Sequence, residues 1–134
     1  MVALVAKERG HEVIRKVIAA GNAVTTPTGL AEALDSLRRR GYGGSREDVV
    51  ADLEELGLRV EPIVEEDALE MAFLLARSAG LAERNEADAG KVGALSLGDA
   101  ACLAVAHRLD AIAVVSDGTW EVLGVPGLKV HPFR

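Results

Sequence analysis

Residues 95–120, LSLGDAACLAVAHRLDAIAVVSDGTW, decide the fold. Ser96 leads an Ala- and Leu-rich run, LSLGDAACLAVAHRL, that reads as a helix, and AIAVV after it is apolar throughout and reads as a buried strand. A helix followed directly by a buried strand is the repeating unit of a parallel sheet covered by helices. Two acidic residues stand where these elements open onto loops: Asp99 in the helix's first turn and Asp117 just past the strand.

Outward from this stretch the alternation continues. HEVIRKVIAAG reads as a helix with Val13, Val17 and Ala20 at three- and four-residue spacing and Gly21 as its stop, followed by a short strand, NAVTT. TPTGLAEALDSLRRRG is a helix opened by Thr26 and Pro27, striped by Leu30, Leu34 and Leu37 and ended by Gly41. SREDVVADLEELG repeats the pattern, with Ser45 as N-cap, Asp48 completing a pair like a capping box, and Val49, Leu53 and Leu56 facing inward. LRVEPIV is the next strand. EEDALEMAFLLARSAG is a helix with an acidic first turn, as the macrodipole favours, closed by Gly80. Residues 81–94, LAERNEADAGKVGA, carry no clear apolar stripe and read as a mobile connection, the one candidate lid. LKVHPF is a last short strand. Repeats and low-complexity tracts are absent, and the pattern predicts a single α/β domain over residues 1–134, a three-layer sandwich around a parallel sheet.

Composition narrows the function classes. A chain of 134 residues is long enough for one real core, and with 49% hydrophobic but only 3% aromatic residues that core must be aliphatic. A net charge of −6 excludes nucleic-acid binding through a general positive field, so any such contact must be local. The single cysteine, Cys102, cannot form an internal disulfide, which fits a reducing compartment, and the cytoplasm is the expected location. No apolar run approaches the roughly 20 residues of a membrane span, and no signal peptide is evident.

In a parallel sheet, ligands bind beyond the carboxyl ends of the strands, where helix N-termini also point, so Asp99 and Asp117 are expected on one rim. Asp99 shares a helix face with Cys102, Leu103 and Ala106, which aims its carboxylate along the buried side, where a hard cation would compensate it. Either aspartate alone also has an ordinary structural explanation, in helix capping or in an Asp-Gly turn.

Taken together, LSLGDAACLAVAHRL followed by AIAVVSDGTW resembles the C-terminal half of PIN domains of the VapC toxin type, and TTPTGLAEAL resembles that family's second helix, whose glutamate is a metal ligand. The likeness covers nearly the whole chain. It implies a metal-dependent ribonuclease, the toxin half of a toxin-antitoxin pair. Glu32, Asp99 and Asp117 would hold Mg²⁺ or Mn²⁺, directly or through water, with Ser116 and Thr119 supporting them. It also implies an RNA substrate, a homodimer, and an antitoxin protein seated in the acidic groove. Glu32 rests on the resemblance alone, since it lies opposite the Leu30, Leu34 and Leu37 stripe and spacing would place it in solvent.

The N-terminus departs from the family's pattern. MVALVAKERG resembles the helix that follows the family's first, central strand, so that strand and its terminal aspartate would fall upstream of Met1. The sheet is therefore expected to lack its usual central strand, through a misplaced start, because the sequence is a fragment, or through decay of the copy, and a nuclease so shortened is expected to be impaired. The arginines that often follow the family's C-terminal aspartates are replaced by Ala100 and Gly118.

Other residues have plainer readings. Arg38, Arg39 and Arg40 complement a helix C-terminus, although they could meet an RNA backbone. Cys102 and His107 lie about 140° apart on a helix and cannot act as nucleophile and base. His107 and His131 lack metal-ligand spacing. Trp120 reads as an apolar cap over the sheet edge. GYGGS, residues 41–45, lies between helices and not after a strand, which excludes a phosphate loop. The competing reading from another class is a non-catalytic PIN-like binding module.

Overall fold

Thr26, Ser45 and Ser96 each precede a helix and each cap it, and the elements they open set the frame of the protein in a computed structural model describing residues 1–86, 94–116 and 118–133. The chain forms two compact units, the first built from residues 1–62 with Phe133, the second from 63–132. Both are mixed α/β with short parallel strands, the class the sequence predicts.

The first unit holds α1 (Val2–Val5), α2 (His11–Ala19), β1 (Val24–Thr25), α3 (Pro27–Arg39), α4 (Arg46–Glu55) and β2 (Arg59–Val60). Thr26, 1% exposed, accepts the Gly29 N–H at 3.1 Å through Oγ1, and Pro27 occupies the first helical position, where its missing N–H costs nothing. β1 and β2 pair in parallel, Val24 with Arg59 and Thr25 with Val60, and α3 and α4 make the crossover between them.

Two details of the expected pattern change here. The inward face of α2 is Ile14 and Ile18, whereas Val13 and Val17 are exposed and Ala20 lies at the exposed end. The two i, i+4 pairs are adjacent on the helix, and the larger Ile pair occupies the core. In α4, Ser45 Oγ accepts the Asp48 N–H at 3.0 Å, and the helix is capped by this one-way bond without the reciprocal half of a capping box.

Gly10, at φ 89°, caps α2 in the left-handed region, and a Cβ there would lie 2.6 Å from Phe133 Cδ2 and 3.1 Å from the Phe133 carbonyl oxygen. Gly10→Ala is therefore expected to destabilise by about 1–3 kcal/mol, combining left-handed strain with the cost of moving Phe133, measured by urea denaturation. A Phe133→Ala background should recover the steric part and leave the backbone part.

The second unit holds α5 (Glu65–Glu86), α6 (Leu97–Arg108), β3 (Ile112–Val115), a 3₁₀ segment (Gly118–Leu123) and β4 (Lys129–Pro132). β3 and β4 pair in parallel from Ile112 with Lys129 to Val115 with Pro132, and the crossover between them runs through the 3₁₀ segment. Strand pairing in the described residues is confined to these two two-stranded ladders.

The core of this unit joins Leu74 of α5, Leu103, Ala104 and Ala106 of α6, Ala113 and Val115 of β3, and Leu123. Ala100, Ala101 and Ala104 are at most 1% exposed, and their small side chains let the backbone of α6 approach its neighbours closely. Trp120 packs against this core and Cys102 is half-buried.

α5 runs past Gly80 to Glu86, so the expected stop at Gly80 and the loop reading of 81–86 are corrected; residues 87–93 lie outside the described residues. A glycine inside a helix costs about 1 kcal/mol relative to alanine. Leu81, packed against the core beyond Gly80, offsets that cost.

Candidate functional site

Asp99 occupies the third position of α6. Ser96 Oγ accepts the Asp99 N–H at 3.0 Å, and Asp99 Oδ2 accepts the Ser96 N–H at 3.1 Å, closing a reciprocal capping box. The half-buried carboxylate thus has its first partner within its own helix start, where the sequence reading offered a cation. One oxygen, Oδ1, is left outside the cap.

The frame beneath Asp99 is equally specific. Ser78 of α5, 2% exposed, donates through Oγ to the Leu75 carbonyl at 3.0 Å and accepts the Leu95 N–H at 3.2 Å. That bond ties the residue before the cap to α5. At the other end of α6, Arg108 Nε donates to Asp67 Oδ1 at 2.9 Å, while Asp67 Oδ2 accepts the Val64 N–H at 2.9 Å at the start of α5. His107 Nδ1 lies 3.0 Å from Glu70 Oε1. α6 is therefore clamped to α5 at both ends, which fixes where Asp99 stands. Ser78, Asp67 and Arg108 carry no motif in the sequence, since their partners lie far along the chain.

Glu32 is exposed on α3, the side its spacing against Leu30, Leu34 and Leu37 indicates, and Ala33 and Leu37 carry the buried face. It belongs to the first unit and Asp99 to the second. Asp117 lies outside the described residues; Ser116 before it is an exposed bend following β3, and the side chain of Thr119 is also outside them. Among the described residues no group of three or more His, Cys, Asp or Glu side chains is clustered as metal ligands. As a donor set, carboxylates match the hard oxygen ligands that Mg²⁺ and Mn²⁺ take, and Oδ1 of Asp99 is the oxygen of its side chain suited to such a role.

The charges around α3 are partly spent on one another. Asp35 receives Arg38 at 2.9 Å and Arg39 at 2.9 Å, and the Arg38 hydrogen bond holds the Asp35 carboxyl below its ordinary value. Arg40 pairs instead with Glu8, on the loop after α1. In the second unit Lys129 Nζ reaches Asp110 Oδ1 at 2.6 Å, and that hydrogen bond lowers the Asp110 carboxyl. No helix among the described residues is long and apolar enough to cross a membrane.

No curated protein matches the chain. A family model does: residues 1–124, nearly the whole length and including both Glu32 and the capped start of α6, match the PIN domain, and the chain belongs to the PIN domain family.

Proposed function

We propose that this PIN domain is a metal-dependent endoribonuclease of the VapC toxin type, with Glu32, Asp99 and Asp117 as its acidic ligands. PIN domains are generally divalent-metal-dependent nucleases, and a PIN nuclease binds RNA. The observation that carries the reading is the fixed start of α6 within a PIN match: the Ser78 tether anchors the residue before the cap, and the capping box engages Asp99 through Oδ2 and leaves Oδ1 outside it. Catalysis at a phosphodiester depends on such preorganisation of the groups around it. When bound, Mg²⁺ or Mn²⁺ supplies Lewis-acid stabilisation of the phosphate and activation of a water. The chain's share is to fix the carboxylates, with the helix N-terminus of α6 adding dipole compensation beside them. The proposal extends to a homodimer in the cytoplasm, held inactive by an antitoxin.

The competing reading is a PIN-like binding module without cleavage. What favours it is that Asp99 Oδ2 already serves the helix start. The two separate on a structured RNA incubated with the full chain in Mn²⁺, in Mg²⁺ and in chelator. Cleavage that needs the cation and stops in chelator supports the nuclease. Intact RNA in every cation, with tight binding of a partner protein, supports the binding module and removes the enzymatic reading.

A further inference from the structure

The first unit contains a cleft of about 400 Å³ whose lining brings together Val5 and Ala6 at the end of α1, Lys7, Leu37 and Arg40 at the end of α3, and Tyr42. We propose that this cleft holds one nucleotide unit of single-stranded RNA, its base against Tyr42 and its phosphate between Lys7 and Arg40. The proposal rests on the ribonuclease reading for the source of the RNA, but the cleft's chemistry stands on its own residues.

Three observations converge. The first is the pairing of an aromatic ring with two cations over an apolar floor, the combination that takes a base by its face and a phosphate by charge. Tyr42 is 43% exposed, and its backbone N–H is fixed by the Leu37 carbonyl at 3.1 Å. Gly44 lies against the ring, since a Cβ there would sit 2.6 Å from Tyr42 Cε1. The ring is therefore backed by backbone and has limited room to move.

The second is the backbone of Lys7. It adopts φ 52°, a left-handed conformation that glycine or asparagine takes with less strain, at a cost to other residues of about 1–2 kcal/mol. The lysine held there lines the cleft, is exposed, and has no ion pair among the described residues, so its charge is available to a ligand in the cleft. The third is the fate of the neighbouring charges. Arg38 and Arg39 are drawn to Asp35, whereas Arg40 is oriented by Glu8, which partly neutralises it. The cleft thus carries a small local positive excess on an acidic chain, enough for one phosphate and not for a duplex, whose backbone calls for several contacts.

Binding is measured in chelator, so that cleavage plays no part, with a fluorescein-labelled single-stranded oligoribonucleotide and with adenosine 5′-monophosphate as competitor. Tyr42 is the only tyrosine of the chain, so its ring resonances report the cleft directly. We expect both probes to shift them upfield, as a stacked base does. Tyr42→Ala should weaken oligonucleotide binding about tenfold and Tyr42→Phe hardly at all, because stacking contributes on the order of 1–3 kcal/mol per base. Lys7→Asn keeps a residue suited to the left-handed backbone and should lower the salt slope by about 0.7. Displacement of the strand by the mononucleotide would identify free nucleotides as a further ligand of the same site, and a strand that resists it would assign the cleft to RNA alone; either supports the nucleotide site. Tyr42 resonances unmoved by both probes, or affinities unchanged in folded Tyr42→Ala and Lys7→Asn proteins, would overturn it, as would exclusive binding of an acidic peptide. A chain that fails to cleave RNA yet shows these effects loses the nuclease reading and keeps the cleft.

Discussion

Asp67→Ala is expected to destabilise the protein by about 3–5 kcal/mol, a large share of the 5–15 kcal/mol that holds a domain of ordinary stability together. The side chain is 2% exposed and both of its oxygens are engaged. Oδ1 takes the Arg108 Nε and Oδ2 takes the Val64 N–H, so one carboxylate caps α5 and anchors the last turn of α6. Truncation removes a charge-assisted hydrogen bond, leaves the helix start uncapped, and takes the buried anionic partner at 2.9 Å from Arg108, whose side chain is 29% exposed. Asp67→Asn keeps one acceptor and the shape, and should cost about half as much. Urea denaturation with unchanged slope reads both. A loss below about 1 kcal/mol for Asp67→Ala would show that the pair breaks even against desolvation, the other outcome open to buried ion pairs.

That residue also marks the limit of what could be read from the sequence. Local signals were legible: Thr26, Ser45 and Ser96 cap the helices they precede, Pro27 opens α3, and the run AIAVVS contains the parallel strand β3. Each of these is decided within a few residues. The features that local signals miss depend on distant partners. Ile14 and Ile18, not Val13 and Val17, face inward because packing selects between two equally periodic stripes. α5 passes Gly80 because Leu81 finds the core. Asp67 sits 41 residues from Arg108, and Ser78 sits 17 from Leu95, so no pattern of spacing could pair them. In the candidate site, Asp99 is legible as a first-turn aspartate, and its reciprocal bond with Ser96 follows the same Ser-x-x-Asp spacing as Ser45 and Asp48, where only one half of the pair forms. Glu32 gave the opposite signal, since its periodicity reads as solvent and only family likeness singles it out.

Because the capping role of Asp99 and its proposed role as a ligand use different properties of one side chain, a single substitution separates them. Asparagine at position 99 retains a carbonyl oxygen that can accept the Ser96 N–H, while it removes the negative charge a divalent cation requires. Asp99→Asn is therefore expected to fold with stability within about 1 kcal/mol of the native chain. Its RNA cleavage should fall by at least about a hundredfold, the upper range for loss of even an outer partner of a bound metal. Asp99→Ala loses both properties, and should add the cost of an opened capping box, about 0.5–2 kcal/mol, to the same loss of cleavage. The comparison needs thermal melting and cleavage of a structured RNA in Mn²⁺ on the same preparations. If Asp99→Asn cleaves like the native protein, the carboxylate is a helix cap and nothing more, and the acidic site must be built from other residues. If Asp99→Asn melts several degrees lower and its activity falls only in proportion to the unfolded fraction, the loss is structural. Only an intact fold with abolished cleavage assigns Oδ1 to the chemistry, because the cap is then preserved while the negative charge and the acceptor at the Oδ1 position are removed together.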